Sequence, residues 1–192
     1  MEKCVTRVDP RIEVAVMPEE PMTGCHFRAF VLFSAIRDFV NPPRNWVAEA
    51  GVKEGDAVLD FGCGRGGFTA AAARAAGSTG TVYALDLNPL ALASARRLTR
   101  GPGCARVKTI RSSGPTGLQA ASVDVILLYD VFHEFDDPEA ILAELARVLK
   151  PSGVLSFSDH HLKAEDAIAR VRAGGHFRFE RKHKHTFTFV KK

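Results

Sequence analysis

The stretch Ala57 to Gly67, which reads AVLDFGCGRGG, decides the fold of this chain. It begins as an apolar strand, reaches an acid at Asp60 and continues directly into a loop that contains four glycines. Glycine lacks a Cβ, so such a loop can turn sharply and lie close against a ligand. The run Phe68 to Ala76 that follows is rich in alanine, a strong helix former, and Gly77 ends it. The sequence therefore predicts a strand, a ligand-binding loop and a helix in succession.

A second acid follows the next apolar run of the chain. Thr81 to Leu85 predicts a strand, and Asp86 comes directly after it. An acid at this distance beyond a glycine loop is typical of one that binds ribose hydroxyls, and neighbouring parallel strands end at the same edge of a sheet. Asp60 and Asp86 together therefore predict a nucleoside pocket. The glycine spacing alone also fits the GxGxxG loop of nicotinamide dinucleotide enzymes, so the order of the remaining elements has to separate the two classes.

Strand-like and helical runs alternate through the rest of the chain. This alternation predicts a parallel sheet that is covered by helices on both faces. The almost continuous apolar run Val123 to Tyr129 is expected to form the middle strand. The other predicted elements are a helix from Pro89 to about Thr99, a strand at Arg106 to Arg111, a helix that begins at Asp137 and Pro138 and ends at Pro151 and Gly153, a strand at Val154 to Ser158, and a helix from about Ala164 to Ala173.

The C-terminal segment combines a predicted hairpin with most of the positive charge. Its sequence HFRFERKHKHTFTFVKK consists of two alternating segments around a turn at His183 to His185. From Gly174 onward there are six Lys or Arg residues and one Glu, a local net charge of +5, against +4 for the whole chain. This charge either attracts an anionic substrate or nucleic acid, or protects an edge strand from pairing. We favour edge protection, because one small basic patch is a weak signal for nucleic acid.

The order of these motifs resembles that of the class I S-adenosylmethionine (SAM) dependent methyltransferases over about Asn45 to Val190. VLDFGCGRGG is similar to the first motif of that family, with an acid two residues before the first glycine, which dinucleotide enzymes rarely have. VYALDLNPLAL resembles the second motif, VDVILLYDVFHEF the fourth, and LARVLKPSGVLSFSD the helix and strand after it. The resemblance implies an α/β fold: a Rossmann-like three-layer sandwich with a mostly parallel seven-stranded sheet and a C-terminal antiparallel hairpin strand.

The same resemblance implies SAM as the cofactor, with S-adenosylhomocysteine as the product. In that family arrangement Asp60 would orient the glycine loop and the methionine amino group, and Gly62 and Gly64 would allow backbone contact with the methionine portion. Asp86 would hold both ribose hydroxyls, and Leu87 would pack on the adenine. The full set of cofactor-binding residues predicted in this way is Asp60, Gly62, Cys63, Gly64, Asp86, Leu87, Ser112, Tyr129 and Asp130.

Three members of this set lie where the chain departs from or extends the family pattern. Many relatives have an acid after the third strand that reaches the adenine amine, but this chain reads Arg111, Ser112, Ser113, Gly114. Adenine recognition is therefore expected to rest on Ser112, on a backbone group or on apolar packing. Tyr129 and Asp130 would close the site near the methionine end.

The segment Phe132 to Phe135 is expected where the transferred methyl and the acceptor meet. His133 or Glu134 is therefore the predicted catalytic base for a hydroxyl, thiol or amine acceptor. The alternative is that His133 orders the loop or caps the next helix. His160 and His161 also follow a strand, but they are weaker candidates, because two adjacent histidines are not both expected to face one pocket.

The N-terminal part predicts a different organisation. Residues 1–44 are expected to form an arm and a lid helix, and residues 45–192 the methyltransferase domain. Phe27 to Phe39 has a helical pattern, and Pro42 and Pro43 start a second helix that carries Trp46. Such helices either wall the substrate pocket or simply cap the sheet.

Composition limits the class of protein. With 192 residues, 46% of them hydrophobic, the chain can bury one substantial core. Its four cysteines show no CxxC spacing and no secretory leader precedes them, so we expect no metal site, reduced thiols and a cytoplasmic location. The longest apolar stretch, Phe27 to Val40, is interrupted by charged residues and falls short of the roughly 20 residues of a membrane span, so no membrane association is expected.

The acceptor is expected to be a small molecule. The chain is short, lacks an added recognition domain and is similar to quinone-biosynthesis and arsenite-type methyltransferases, although its cysteines do not supply a metalloid-binding trio. Two alternatives stay open. The chain is either a protein or RNA methyltransferase that docks through the basic hairpin, although nucleic acid is the less expected partner, or a SAM-binding module that regulates a partner without turnover.

Overall fold

The computed structural model of the protein describes residues 41–99, 101 and 103–192, so the predicted arm and the predicted helix at Phe27 to Phe39 lie outside the described residues. Helices and strands alternate through most of the described part. The helices are α1 (Pro43–Glu49), α2 (Gly67–Ala76), α3 (Pro89–Leu98), α4 (Pro138–Val148) and α5 (Ala164–Ala173). The strands are β1 (Ala57–Phe61), β2 (Thr81–Asp86), β3 (Arg106–Arg111), β4 (Val123–Tyr129), β5 (Leu149–Ser158), β6 (Phe177–Lys182) and β7 (Phe187–Lys191).

The seven strands form one sheet in the order β3-β2-β1-β4-β5-β7-β6. Strands β1 to β5 pair in parallel, and β7 pairs antiparallel with both β5 and β6. The predicted α/β fold, with a mostly parallel sheet and a C-terminal antiparallel hairpin, is confirmed. The strand order reverses between β1 and β4, and in open α/β sheets such a switch point is where ligands bind, beyond the carboxyl ends of the strands.

Strand β4 lies at the centre of the sheet, as its apolar sequence predicted. Successive side chains of a strand point to opposite faces. Ile126 and Leu128 pack in one buried cluster with α4, and Val125 and Leu127 pack in a second cluster with α1 and α2. Both faces of the sheet are therefore covered, which explains why this strand is apolar at almost every position.

The glycine loop turns directly from β1 into α2. Gly66 has φ +89° at the N-terminal cap of α2, a conformation that residues with a Cβ rarely adopt. A Cβ at this position would also lie 2.5 Å from the Cα of Ala95 on α3. The loop therefore requires glycine both for its turn and for the close approach of α3.

The end of α4 differs from the prediction. The helix ends at Val148, and β5 already begins at Leu149, so Pro151 and Gly153 lie within the strand instead of ending the helix. Proline disfavours a helical conformation at the residue before it, and it is tolerated in strands at bulges. The register of β4 and β5 shifts between Val123 and Val125, which supplies that bulge.

Helix α1 begins at Pro43, as predicted, and contacts the C-terminal hairpin. The proposed domain boundary between residues 44 and 45 falls inside this helix, so the division into an arm and a domain remains a prediction. The carboxylate of Glu49 accepts hydrogen bonds from the backbone N–H groups of His185 and Thr186 at 3.1 and 3.0 Å. This contact fixes the turn between β6 and β7. Among the described residues, no helix is long and apolar enough to cross a membrane.

Candidate active site at the carboxyl edge of the sheet

Asp60 is a buried acid at the carboxyl end of β1. It is 2% exposed, and it accepts a hydrogen bond from the hydroxyl of Thr69 on α2 at 2.5 Å. Burial raises the pKa of Asp60 to about 7, and the nearby Asp86 contributes in the same direction. A cationic group beside Asp60 would offset the cost of ionising this carboxyl group.

Asp86 ends the neighbouring strand β2 and reaches back to the glycine loop. Its carboxylate accepts hydrogen bonds from the backbone N–H of Gly64 at 2.9 Å and of Asn88 at 2.8 Å. Burial raises the pKa of Asp86, and these backbone donors oppose the increase. Each of the two bonds uses a different oxygen, and a carboxylate can accept about four hydrogen bonds, so the group retains acceptor capacity for hydroxyls.

The backbone of the glycine loop is held against β2. The N–H groups of Gly62 and Cys63 both donate to the carbonyl of Leu85 at 2.9 Å. The thiol of Cys63 is buried, and burial raises its pKa, so the side chain serves packing and not thiolate chemistry. Gly62 has φ +76°, and a Cβ there would lie 2.8 Å from the side chain of Val131.

Ser112 and Leu87 lie beside Asp86. The N–H of Ser112 donates to the carbonyl of Asp86 at 3.3 Å, and its hydroxyl accepts from the N–H of Gly114 at 3.1 Å. Leu87 is partly exposed directly after Asp86. The structure thus brings these predicted residues to the ends of β2 and β3.

Tyr129 is a predicted site residue whose side chain lies in the core. Its hydroxyl is 2.7 Å from the hydroxyl of Ser156 and 3.5 Å from the carbonyl of Trp46. The ring packs edge-on against Phe68 and Trp46, with centroid distances of 4.8 and 5.4 Å. These contacts make Tyr129 a support between α1, α2 and the sheet.

His133 lies in a short 3-10 turn (Phe132–Glu134) after β4 and contacts an aspartate from the next strand. Its Nδ1 lies 2.9 and 3.1 Å from the two carboxylate oxygens of Asp159, and its backbone N–H donates to the same carboxylate at 3.0 Å. The Asp159 side chain is fully buried, while 26% of the His133 side chain is exposed. Asp137, and not His133, caps α4.

The pairing of His133 with Asp159 favours one tautomer of the imidazole. A carboxylate accepts hydrogen bonds, so Nδ1 of His133 carries the proton and Nε2 is the atom that can accept one. Nε2 lies 3.9 Å from a carboxylate oxygen of Glu134, whose side chain is 54% exposed. Burial raises the pKa of Glu134, and His133 opposes that increase.

A second histidine and aspartate form the reverse pair. Nδ1 of His160, after β5, lies 2.9 Å from a carboxylate oxygen of Asp130, after β4. The ring of His161 lies 4.0 Å, between centroids, from the rings of both His133 and His160. The two adjacent histidines therefore join one cluster, because they lie in a turn and not in an extended strand.

The ends of β1 and β4 meet at this edge. The ring of Phe135 packs edge-on against Phe61 at 5.6 Å, and Val131 lies against Gly62. The carboxylates of Asp60 and Asp86 and the histidine cluster consequently share one edge of the sheet. Such a site combines acidic acceptors for a cationic, hydroxyl-bearing ligand with an imidazole that can accept a proton.

Sequence reasoning missed two residues of this site. Thr69 bonds Asp60, and its only signal is that it is the one hydroxyl residue in an alanine-rich helix. Asp159 holds His133, and its signal is an acid directly after a predicted strand, the same position that identified Asp60 and Asp86.

Comparison with known proteins supports this description. Residues 59–157 match the family described as "Methyltransferase domain". The chain is 30% identical over 134 residues to the ubiquinone biosynthesis O-methyltransferase of Thiobacillus denitrificans, covering 69% of this chain and 56% of that protein. It is 33% identical over 104 residues to the demethylmenaquinone methyltransferase of Lactobacillus johnsonii, covering 53% of this chain and 43% of the other. The chain thus spans about half the length of these relatives.

A solved structure shares the fold. A SAM-dependent methyltransferase from Aquifex aeolicus superposes with a TM-score of 0.67 at 24% identity. The match covers 78% of this chain and 89% of that protein. At this identity the likeness establishes the fold and leaves the acceptor open.

Proposed function

This chain belongs to the class I SAM-dependent methyltransferase family, and from that premise we propose that it transfers the methyl group of SAM to a small-molecule acceptor. The observation that carries the proposal is the arrangement of two acids, the buried Asp60 and the half-buried Asp86, on either side of the glycine loop. Nicotinamide dinucleotide enzymes share the loop but rarely have the first of these acids.

We propose that Asp60 and Asp86 hold opposite ends of the nucleoside. Asp60 would bind the methionine amino group, because a cation offsets the burial that raises the pKa of this carboxyl group. Asp86 would bind the two ribose hydroxyls with the acceptor capacity that Gly64 and Asn88 leave. Leu87 and Ser112, at the ends of β2 and β3, would contact the adenine.

SAM supplies a methyl group that is already activated on a sulfonium centre. The residues of this chain therefore have to align the acceptor, exclude water and, for a hydroxyl acceptor, remove a proton. His133 is the proposed catalytic base, with Nε2 as the accepting atom. Asp159 is the proposed positioning residue, because it bonds both Nδ1 and the backbone N–H of His133.

The acceptor class proposed here is a hydroxylated ring of the quinone-biosynthesis type. Support comes from the names of two relatives, a ubiquinone biosynthesis O-methyltransferase and a demethylmenaquinone methyltransferase, and from an imidazole suited to deprotonating a ring hydroxyl. A cytoplasmic location remains a prediction from cysteine usage. The basic hairpin forms the edge of the sheet at β6, which fits a charged edge strand that resists pairing.

Cofactor binding is the first test. Calorimetric titration with SAM, S-adenosylhomocysteine and NAD(H) in parallel is expected to give micromolar dissociation constants for the first two ligands alone. Binding of NAD(H) alone, or of none of the three, would contradict the proposed site. A screen for S-adenosylhomocysteine release then follows, with a catechol and a short-chain demethylmenaquinol as acceptors and with bulk protein and RNA as competing acceptor classes.

The role of His133 is tested with matched variants. His133→Gln and Asp159→Asn are each expected to lower kcat about 100-fold, and the double variant little further, because the two residues act as one unit. The dissociation constant for SAM is expected to stay within about twofold in both single variants. His176→Gln on the far hairpin is the control. Unchanged kcat in His133→Gln would remove the base from the mechanism.

A further inference from the structure

The segment from Leu87 to Ser122, which contains α3 and β3, carries positive charge only. It holds six Lys or Arg residues and no Asp or Glu, a local net charge of +6 against +4 for the whole chain. The chain has 22 acids among its 192 residues, so the absence of any acid from this segment departs strongly from the overall composition. A concentration of one charge sign on one part of a protein attracts partners of the opposite sign.

Strand β3 lies at an edge of the sheet and exposes its cations on both faces. Neighbouring side chains of a strand point to opposite faces, so Arg106 and Lys108 share one face and Arg111 lies on the other. Lys108 is the register partner of Tyr83 on β2, and its Nζ lies 5.3 Å from the centre of that ring. On the other face, Nε of Arg111 donates to the carbonyl of Leu87 at 3.3 Å. Both sides of this edge are therefore positive.

Helix α3 extends the positive surface on the face of Arg111. Arg96 and Arg97 are exposed in its last turn, and the guanidinium of Arg96 donates to the hydroxyl of Thr109 on β3. Protection of the sheet edge from pairing does not account for these two arginines, because a helix makes its backbone hydrogen bonds internally. The helix dipole favours cations in the last turn, but it does not exclude acids from β3.

The face of β3 that carries Arg106 and Lys108 has no helix of its own. Parallel strands are usually joined through a helix that covers the sheet, but residues 112–122, which connect β3 to β4, form none. Tyr83 and Ile110 are consequently only partly buried on this face. Positive charge beside an accessible aromatic ring is a combination with which proteins bind single-stranded nucleic acid.

Five exposed cations make up this surface, which we call the β3 edge surface: Arg96, Arg97, Arg106, Lys108 and Arg111. Among the described residues, none of the five forms a salt bridge. Asp86 is the register partner of Arg111, but its carboxylate accepts hydrogen bonds from two backbone N–H groups. An external anion can therefore contact these cations without displacing an internal ion pair.

The shape and charge of this surface fit a flexible chain of phosphates. Like charges along an edge repel a second copy of the same edge, so a dimer through β3 is disfavoured. A membrane is flat and meets one side of the edge, whereas the cations lie on both sides of it. From Arg106 to Arg111 the strand spans about 17 Å at about 3.3 Å per residue, and a flexible polymer can follow that length while it bends around the edge.

We propose that the β3 edge surface binds the phosphate backbone of a single-stranded nucleic acid. Contacts of Arg and Lys with phosphates carry no sequence information, so no particular base sequence is required. Binding at this surface needs neither SAM nor a methyl acceptor. The failure of this proposal and the failure of the proposed methyl transfer are therefore distinguishable.

The test measures the fluorescence anisotropy of a labelled oligouridylate with the full-length protein over a series of KCl concentrations. The dissociation constant at physiological salt is expected to lie between about 1 and 100 μM. Each phosphate contact with a single strand contributes about −0.7 to the slope of log K against log[salt], so five contacts predict a slope of about −3.5. Oligothymidylate of the same length is expected to bind within about threefold, because the contacts are to phosphate.

A triple variant locates the binding surface. It replaces three exposed cations that lie outside the proposed SAM site: Arg97→Gln, Arg106→Gln and Lys108→Gln. The affinity for oligouridylate is expected to fall at least about tenfold at physiological salt, and the magnitude of the salt slope by about 2. The dissociation constant for SAM, measured by calorimetry, is expected to stay within about twofold, which checks that the variant is folded.

The matched control removes the same charge from the other basic edge of the sheet. It replaces three exposed cations of the hairpin: Arg178→Gln, Arg181→Gln and Lys184→Gln. Its affinity for oligouridylate is expected to stay within about threefold of the parent chain, because these residues lie at the opposite edge. Equal losses in the two triple variants would show that binding follows net charge alone, and would overturn the proposal.

Three other results would also overturn it. The first is no binding of oligouridylate below millimolar concentration at physiological salt. The second is tighter binding of a duplex of the same length. The third is co-sedimentation with vesicles of equimolar phosphatidylcholine and phosphatidylserine that the β3 triple variant loses, without binding of oligouridylate, which would assign the surface to a membrane. If the β3 triple variant self-associates and the parent chain does not bind oligouridylate, the cations serve only to protect the edge.

Discussion

The two halves of the carboxyl edge of the sheet are built in different ways. At β1 and β2, a glycine loop that is continuous in sequence supplies backbone N–H groups, and the acids Asp60 and Asp86 are held by Thr69, Gly64 and Asn88. At β4 and β5, the two pairs of histidine and aspartate side chains, His133 with Asp159 and His160 with Asp130, join residues that are 26 and 30 positions apart.

The two halves therefore depend on different residue types, and substitutions in them are expected to have different effects. The β1 and β2 half depends on the absence of side chains at the glycines and on carboxyl groups that are buried or half-buried, so substitutions there should affect both folding and SAM binding. The β4 and β5 half depends on imidazole chemistry near the surface, so most substitutions there should spare the fold.

The largest expected effect is at Asp60. Its pKa in the folded chain is about 7, against 3.8 for the exposed group, so the folded state holds the proton more tightly than the unfolded state. The stability of the ligand-free protein therefore falls as pH rises from about 4 to about 7. Asp60→Asn removes this loss, because asparagine can still accept the hydrogen bond from Thr69. At pH 8 it is expected to raise the free energy of unfolding by up to about 4 kcal/mol.

Urea denaturation at pH 5 and pH 8 measures this effect, and the gain is expected to shrink toward pH 5. Calorimetry on the same variant is expected to show weaker SAM binding, by about tenfold, because the carboxylate for the amino group is lost. If Asp60→Asn were no more stable than the parent chain at pH 8, burial would not be raising the pKa of Asp60.

The next largest change in the free energy of unfolding is expected at Gly66. Gly66→Ala introduces both a positive-φ strain and a contact with the backbone of Ala95, and it is expected to lower the free energy of unfolding by about 3 kcal/mol or more. Gly51→Ala is the matched control, because Gly51 has φ +74° but nothing within 4 Å of a built Cβ. Its expected cost is about 1 kcal/mol. Equal losses in denaturant unfolding would show that the approach of α3 is unimportant.

Asp86→Ala is expected to weaken SAM binding by more than tenfold while the protein remains folded. The variant removes the proposed charge-assisted contact to two hydroxyls, and such a contact is worth about 1.5 to 3 kcal/mol. Calorimetry measures the affinity, and Asp166→Ala on the exposed side of α5 is the control. An unchanged dissociation constant would be incompatible with a ribose contact at Asp86.

The smallest effects are expected at β4 and β5. Asp159→Asn places an amide N–H₂ among donors and is expected to cost about 2 kcal/mol of unfolding free energy, because the side chain is buried. His160→Ala is expected to cost less than about 0.5 kcal/mol, because its side chain is largely exposed. Thermal denaturation compares the two. A cost of about 2 kcal/mol at His160 would contradict the view that most substitutions in this half spare the fold.

Much of the fold was predictable because the signals are local. The alternation of apolar runs and helix caps located nearly every element, and the apolar character of Val123 to Tyr129 placed that strand at the centre of the sheet. The predicted end of α4 at Pro151 and Gly153 was wrong, since the bulge between Val123 and Val125 depends on strand pairing. The deep burial of Tyr129 between α1 and α2 depends on packing in the same way.

The sequence by itself determined the parallel sheet, the glycine loop and the two acids at Asp60 and Asp86, because each follows from a strand and the residues next to it. Only the tertiary structure decided which partners these groups have. Thr69 reaches Asp60 because α2 turns back over the loop, and Asp159 reaches His133 because β4 and β5 are neighbours in the sheet. Hydrogen bonds between distant side chains are set by strand order and register, and no local pattern encodes them.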